Sequence, residues 1–306
     1  MSDEKSKRPS NTAFKQQRLK AWQPLLTPKT VLPTLFVAGI IFAPLGGLFL
    51  YESETVNEVI VDYTHCKDGN ASAASLDSSL YSYKFTDEGT SQMYAPTYRF
   101  IANTTEGEPG TCIVRFTVPI SLQTPVFLYY RLTNFYQNHR KYVKSLSYNQ
   151  LHGDVISAPE AASSCSPVGV APDNKIYYPC GLIANSMFND TFVVTLVNPA
   201  GGTTTTNMNF SEKDIAWPSD KKRLASTQMN PEDLVPPPNW QKRYPNGYTA
   251  DNIFQPQEDE HFQVWMRTSW YPTFRKLYSA LREGTLEAGT YEVNITLSKF
   301  YSLERQ

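Results

Sequence analysis

The sequence predicts a membrane-anchored, mainly β protein. One N-terminal transmembrane helix would be followed by a large ectodomain built on an antiparallel β-sandwich with short helices and long loops. Three observations support this fold class: one long uncharged stretch, four cysteines that all follow it, and a composition of 19 Tyr, 16 Phe and 22 Pro with 15 Gly. Abundant aromatic residues and prolines favour strands joined by loops over a helical bundle.

The uncharged stretch is "VLPTLFVAGIIFAPLGGLFLY", residues 31–51. About 20 apolar residues cross a hydrocarbon core of roughly 30 Å. A buried core helix or a cleaved signal peptide is the alternative, but a signal peptide has a shorter apolar region and a shorter leader than residues 1–30. We therefore expect an uncleaved signal anchor.

Charge sets the expected orientation, because the cytosolic flank of a span carries the excess of Lys and Arg. The leader holds seven basic residues against Asp3 and Glu4, whereas the other flank, "YESETVNEVIVD", holds four acids and no base. The sequence thus predicts a cytosolic tail over 1–30, a span over 31–51 and a luminal or extracellular domain over 52–306. The leader bases are Lys5, Lys7, Arg8, Lys15, Arg18, Lys20 and Lys29.

Small residues recur every four positions within the span, at Gly39, Ala43 and Gly47. Such a stripe lets another helix pack closely, although small residues are also common in membrane helices generally. Pro44 is expected to kink the helix.

The leader mixes bases with Phe14, Leu19, Trp22 and Leu25. This mixture predicts a short amphipathic helix at the cytosolic interface. The alternative is that the bases only set topology.

All four cysteines, Cys66, Cys112, Cys165 and Cys180, follow the span. An even number in an oxidising compartment indicates two disulfides, for which three pairings exist. Pairing Cys165 with Cys180 closes a compact turn-rich loop and leaves Cys66 with Cys112. Because Cys180 precedes a glycine, it could instead be a nucleophile on a turn, but a nucleophile needs a base and a stabilised thiolate.

Five sequons also follow the span, which is a mild excess over the roughly three expected by chance. They predict N-glycosylation on a luminal or extracellular surface. Their acceptors are Asn70, Asn103, Asn189, Asn209 and Asn294. The four histidines lie more than four residues apart, so no metal site is indicated.

Apolar alternation and short β-branched runs predict strands in "TCIVRFTVPI", "PVFLYYRLTNF", "DTFVVTLV" and "GTYEVNITLSKF". In the last of these, Asn294 should point away from Tyr291, Val293 and Ile295. Helical spacing predicts a helix in "TFRKLYSALREG", with Thr273 as N-cap and Gly284 after its end. "NHRKYVKS" should form one or two turns, and the proline-rich stretch 225–260 a long extended loop draped on the domain.

The chain has 28 Lys and Arg against 29 Asp and Glu, so it lacks the basic surplus that nucleic acid binding requires. The clusters Lys221–Arg223 and His139–Lys144 are expected to be solvated surface. "DKK" at 220–222 is not followed by Thr-Gly, so it is not the phosphorylated-aspartate motif of P-type pumps, and no phosphate loop of the P-loop pattern is present.

Several long segments resemble one family, the cell division control protein 50 family of accessory β-subunits of type IV P-type ATPases, which are phospholipid flippases. The matching segments are "NTAFKQQRLKAWQP", "YYRLTNFYQNHRKYVKS", "PCGLIANSMFNDTF", "IAWPSDKKR" and "HFQVWMRTSWYPTFRKLYSALREGTLEAGTYEVNIT".

The resemblance implies a glycosylated antiparallel sandwich with disulfides between cysteines adjacent in sequence. It also implies a non-catalytic subunit without a cofactor, in a heterodimer with the ATPase catalytic subunit and in contact with membrane lipids. Such a subunit helps the ATPase leave the endoplasmic reticulum and takes part in lipid translocation, so we expect it in the endoplasmic reticulum, the Golgi apparatus or endosomes, or the plasma membrane.

The resemblance further implies a second membrane helix, yet no second apolar stretch of 18 residues follows residue 51. The sequence therefore predicts one span, either in a one-span form or because the gene model is truncated or mis-spliced. A single-pass receptor or adhesion ectodomain and a membrane-anchored hydrolase are the alternative functions.

Overall fold

The computed structural model describes residues 8–20, 27–69, 72–86, 94–103, 110–197 and 205–297. The chain divides into two compact units. The first comprises Met1–Asn57 with Lys84–Thr86, and the second Glu58–Tyr83 with Asp87–Gln306.

The first unit is built around helix α1, Pro28–Glu54, which has 27 residues. At 1.5 Å per residue it is about 40 Å long, enough to span a bilayer. Thr27 precedes the helix and its backbone N–H donates to Thr30 Oγ1 at 3.3 Å. The helix extends three residues beyond each end of the predicted span and continues through Pro33 and Pro44.

The leader differs from its prediction where the structure describes it. Residues 13–17 form a turn, closed by hydrogen bonds such as Arg18 N–H to Ala13 O at 2.7 Å, and α1 begins only at Pro28. The amphipathic helix is therefore wrong over residues 11–20, and Trp22 and Leu25 lie outside the described residues.

The second unit is mainly β, as predicted. The strands of the described chain are β1 Glu58–Val61, β2 Ala74–Ser75, β3 Tyr81–Lys84, β4 Thr97–Ile101, β5 Thr111–Val118, β6 Leu122–Gln123, β7 Val126–Leu132, β8 Ile176–Tyr177, β9 Thr191–Val197, β10 Thr205–Asn207, β11 Leu234–Val235, β12 Phe274–Leu281, β13 Thr285–Leu286 and β14 Gly289–Thr296. Its short helices are α2 Arg140–Val143, α3 Tyr148–Leu151, α4 Ala158–Ser164, α5 Leu182–Asn185, α6 Pro218–Lys221 and α7 Glu260–Met266. All four predicted strands and the turn of α2 are confirmed.

The main sheet has six antiparallel strands in the order β10-β9-β14-β5-β4-β2. Its central strand β14 alternates as its sequence predicts: Tyr291, Val293 and Ile295 are buried. On the opposite face Glu292 pairs with Arg115, whose Nε donates to Glu292 Oε1 at 2.9 Å. The alternation therefore gives the sheet one apolar face and one face with a charged pair at its centre.

A two-stranded antiparallel ribbon, β7 with β12, packs on the apolar face of this sheet. The rings of Phe192 in β9 and Tyr278 in β12 meet edge to face, 4.7 Å apart. Tyr130 in β7 stacks on Phe188 at 3.8 Å, just before β9 begins. Aromatic side chains thus fill the space between the two layers.

The predicted helix over 273–284 is wrong, because this segment forms β12. A register shift between Leu277 and Ser279 places an extra residue, Tyr278, in the strand. Four consecutive residues beginning with the bulge, 278–281, are buried, so the apolar positions imitate helical spacing. Gly284, with φ +86°, serves the turn after β12 and not a helix end.

Lys276 also made this strand hard to predict from the sequence, because a lysine is usually exposed but here occupies an inward position of β12. It is 8% exposed, and its Nζ donates to the carbonyls of Val264 at 3.0 Å and of Arg267 at the end of α7. Burial, with the nearby Arg267 charge, lowers the pKa of Lys276 to about 8. The ammonium therefore ties the ribbon to the C-terminus of α7, where helix carbonyls lack partners.

The proline-rich stretch 225–260 is largely irregular, as predicted, but it does more than cover the domain. Leu234, Trp240, Tyr248 and Phe254 are all buried in one apolar cluster with the Cys165–Cys180 region. The stretch therefore supplies a large part of the core, and its prolines fix short turns that aim these side chains inward.

We expect Trp240→Ala to lower the free energy of unfolding by about 3–5 kcal/mol, because it removes a buried indole and leaves a cavity. The matched control is Trp217→Ala. Trp217 is 62% exposed and stacks on Arg267 at 3.9 Å, a contact worth about 1 kcal/mol. Thermal unfolding of the full chain in detergent measures both, and equal losses would contradict a core role for residues 225–260.

Candidate functional site

Two disulfides hold the described domain, Cys66–Cys112 and Cys165–Cys180. The first joins the short turn after β1 to the apolar face of β5, with Cα atoms 6.1 Å apart. The second closes a segment of 15 residues between the end of α4 and the start of α5, with Cα atoms 5.6 Å apart. Every cysteine is buried and paired in a disulfide. Cys180 therefore has a structural role and is not available as a thiolate nucleophile.

Two buried polar side chains form hydrogen bonds with the backbone of the Cys165–Cys180 loop and its flanks. Gln150 accepts from Cys180 N–H at 2.8 Å and donates to Tyr177 O at 2.9 Å. Ser145 accepts from Leu182 N–H at 2.9 Å and donates to Cys165 O at 3.0 Å. Both residues are 1% exposed, so their hydrogen bonds replace those that water cannot make.

Gly181 turns the chain sharply between the disulfide and α5. Its φ is +105° and its ψ is 166°, a conformation that is nearly restricted to glycine. A Cβ atom here would lie 2.0 Å from the carbonyl oxygen of Ser145. The position therefore requires glycine for two separate reasons, its backbone angles and its close approach to a neighbouring segment.

Two buried tryptophans donate hydrogen bonds to carbonyl groups of α5. Trp265 Nε1 donates to Ile183 O at 2.7 Å and Trp240 Nε1 donates to Ala184 O at 2.9 Å. These hydrogen bonds add to local ones, since Ala184 O also accepts from Met187 N–H at 3.2 Å and Ile183 O from Ser186 Oγ at 3.3 Å. The segment 180–188 is thus held by a disulfide, a tight turn and two indole hydrogen bonds.

Sequence reasoning found the cysteines of this region but missed the side chains that support them, namely Ser145, Gln150, Trp240 and Trp265. A buried serine or glutamine has no distinctive pattern in a sequence. The tryptophans gave a signal, since a large aromatic in a proline-rich loop must find a surface to cover it.

The predicted glycan acceptors that the structure describes differ in exposure. Asn103, Asn189 and Asn209 are exposed, whereas Asn294 is half-buried in the middle of β14. There it faces Ile113 and Val193 of the flanking strands, on the opposite face from Val293, as its alternation predicts. Asn70 lies outside the described residues.

The small-residue stripe of α1 is sterically open. A Cβ atom added at Gly39 or Gly47 would meet no atom of the described chain within 4 Å. All residues of the helix from Gly39 to Gly47 are exposed. The stripe that these residues form with Ala43 therefore has room for a close helix contact.

Within the described ranges, no group of three His, Cys, Asp or Glu side chains could hold a metal ion. His261 lies 3.2 Å from Glu212 and stacks near the ring of Tyr278 at 4.4 Å. Burial, with the charge of Glu212, raises the pKa of Tyr278 to about 12. A neutral phenol packed between strands fits a structural role.

These features define a class of protein: a helix of membrane-spanning length joined to a disulfide-bonded, mainly β domain whose buried polar groups bind its own backbone.

Comparison with known proteins identifies the family. The sequence model of the LEM3 (ligand-effect modulator 3) family, also called the CDC50 family, matches residues 49–304. Accordingly, the chain belongs to this family.

Curated relatives extend over most of the chain. It is 41% identical to phospholipid-transporting ATPase accessory subunit CRF1 of Saccharomyces cerevisiae over 305 residues, covering 97% of this chain and 75% of the relative. It is 38% identical to cell cycle control protein 50A of Mus musculus, covering 95% and 76%. It is 34% identical to ALA-interacting subunit 3 of Arabidopsis thaliana, covering 97% and 73%.

We expect Gly181→Ala to prevent correct closure of the Cys165–Cys180 loop, because the new methyl group collides with the Ser145 carbonyl. Non-reducing peptide mapping and thermal unfolding of the full chain measure the effect. The matched control is Gly247→Ala, since Gly247 has φ +74° but nothing within 4 Å of an added Cβ. It should cost only the backbone penalty of about 1–2 kcal/mol. Equal effects at both sites would rule out the steric argument.

Proposed function

We propose that this protein is a non-catalytic accessory β-subunit of a phospholipid-transporting type IV P-type ATPase. The carrying observation is its similarity, over 97% of the chain, to a relative named as an accessory subunit of such an ATPase. In this role the chain would assist the folding of the ATPase, its export from the endoplasmic reticulum and lipid transport.

The described structure suits a partner more than a catalyst. Its cysteines are joined in disulfides, and its buried Glu260 accepts from the backbone N–H groups of Ile215 and Ala216, at 2.8 and 3.1 Å. Lys276 is likewise occupied by helix carbonyls. These groups, which could otherwise perform acid–base or nucleophilic chemistry, are thus engaged in holding the fold.

The proposed topology follows from the charge asymmetry of the flanks: residues 1–30 in the cytosol, 31–51 in the membrane and 52–306 in the lumen or outside. The two disulfides support this direction, since disulfides persist in oxidising compartments. Along the secretory route the protein would reside in the endoplasmic reticulum, the Golgi apparatus or endosomes, or the plasma membrane.

We also propose that the stripe Gly39, Ala43 and Gly47 contacts a membrane helix of the ATPase. A close approach of two helix backbones needs small residues, since side chains there would separate them. On the opposite side of α1, Ala38 is also small but belongs to a different face.

Co-expression with a type IV P-type ATPase tests the function. We expect the full chain to co-purify with the ATPase and to increase its export from the endoplasmic reticulum, measured by affinity capture and by glycan processing of exported material. Gly47→Leu should weaken capture because the leucine separates the helices. Ala38→Leu adds the same bulk on the other face and should not.

If the chain neither bound any type IV P-type ATPase nor increased its export, the subunit proposal would be contradicted. That result would favour a single-pass receptor or adhesion protein. Equal capture of the Gly47→Leu and Ala38→Leu chains would leave the function intact and remove the stripe as its contact.

Glycosidase treatment tests the topology. We expect peptide N-glycosidase to increase the electrophoretic mobility of the chain, and Asn→Gln replacement at Asn103, Asn189 or Asn209 to remove one glycan step each. These acceptors are exposed, so the replacement should leave stability unchanged within about 0.5 kcal/mol. A chain that carries no glycan in secretory membranes would contradict a luminal domain.

A further inference from the structure

The loop before β12 is held by three hydrogen bonds, one of them to a buried side chain. Gln137 is fully buried, and its Oε1 accepts from Ser269 N–H at 2.8 Å. Asn138 Nδ2 donates to Trp270 O at 2.9 Å, and Phe135 N–H donates to Pro272 O at 3.0 Å. The loop 269–272 is therefore fixed to the loop 135–138 along its length.

These two connected loops expose three large aromatic side chains to solvent. Trp270 is 86% exposed, Tyr271 is 73% exposed and Tyr136 is 57% exposed. We call these three residues the aromatic edge. Ordered backbone contacts that hold aromatic rings outward indicate a surface that is covered by something else.

Basic residues follow Tyr136 of the aromatic edge along the chain. Helix α2 begins with Arg140 and Lys141, and Lys144 follows its last residue; all three are exposed. Residues 140–144 therefore add three exposed positive charges to the segment that carries Tyr136.

A short segment connects the domain that carries the edge to the membrane helix. Arg275, four residues after Tyr271, pairs with Glu58, the first residue of β1. Only Thr55–Asn57 separate β1 from the end of α1. Four peptide steps span at most about 14 Å, so the domain begins within that reach of the helix end.

We propose that the aromatic edge, with the basic residues of α2, rests in the headgroup layer of the phospholipid bilayer that α1 spans. Trp and Tyr favour this layer because their rings are apolar and their N–H and O–H groups remain hydrated. Lys and Arg bind lipid phosphates there. This contact requires only the membrane and not a partner ATPase.

The test uses the full chain reconstituted in vesicles of phosphatidylcholine, with or without phosphatidylserine. Since its native cysteines are paired, an added cysteine can be labelled selectively with a polarity-sensitive fluorophore. Trp270→Cys and Tyr271→Cys report on the edge. Glu283→Cys is the matched control, because Glu283 is exposed beyond the far end of β12, about 23 Å along the strand from Phe274.

We expect lipids spin-labelled at the headgroup to quench the probes at 270 and 271 several-fold more than the probe at 283. Phosphatidylserine should strengthen this quenching, and Arg140→Gln with Lys141→Gln should remove the increase.

Three results would overturn the proposal. Equal quenching at 270, 271 and 283 would show that the edge does not rest on lipid. Shielding of the edge only when the ATPase is added would assign it to a protein partner. Shielding that grows with the protein-to-lipid ratio would assign it to a second copy of the chain.

Discussion

The domain depends on one short helix, α5, and on the contacts that fix it. The chain reaches α5 through a disulfide at Cys180 and a left-handed turn at Gly181 that lies against the Ser145 carbonyl. Two indole N–H groups then bind consecutive carbonyls of the helix. Because a helix of four residues makes few hydrogen bonds of its own, these tertiary contacts contribute much of its stability.

This arrangement joins two apolar clusters, against both of which Leu146, Met187 and Met266 also pack. Ile183 packs with Trp265 and the aromatic residues of β7 and β12, whereas Ala184 packs with Trp240 and the disulfide. Two adjacent residues of α5 are thus buried in different apolar clusters. The same few hydrogen bonds connect the proline-rich stretch to the β-sandwich. A substitution that disturbs α5 should therefore destabilise both parts of the domain.

The sequence could predict those elements whose local pattern agrees with their final environment. Strands β5, β9 and β14 alternate or run apolar as their burial requires, and the span α1 is evident from its length. β12 could not be predicted, because a bulge at Tyr278 breaks the alternation and Lys276 faces inward to reach carbonyls 9 to 12 residues earlier in the chain. Such partners are set by tertiary structure. Likewise, nothing local indicates that Gln150 supports a disulfide.

Several buried polar groups of the described domain likewise act on the fold itself. Lys276, Glu260 and Ser145 bind backbone atoms, and burial raises the pKa of the phenols of Tyr63, Tyr130 and Tyr248 far above their ordinary value, which keeps them neutral. Two disulfides cross-link the same domain. The stripe of α1 and the aromatic edge are by contrast exposed, and the proposed contacts with a partner helix and with lipid use these two surfaces.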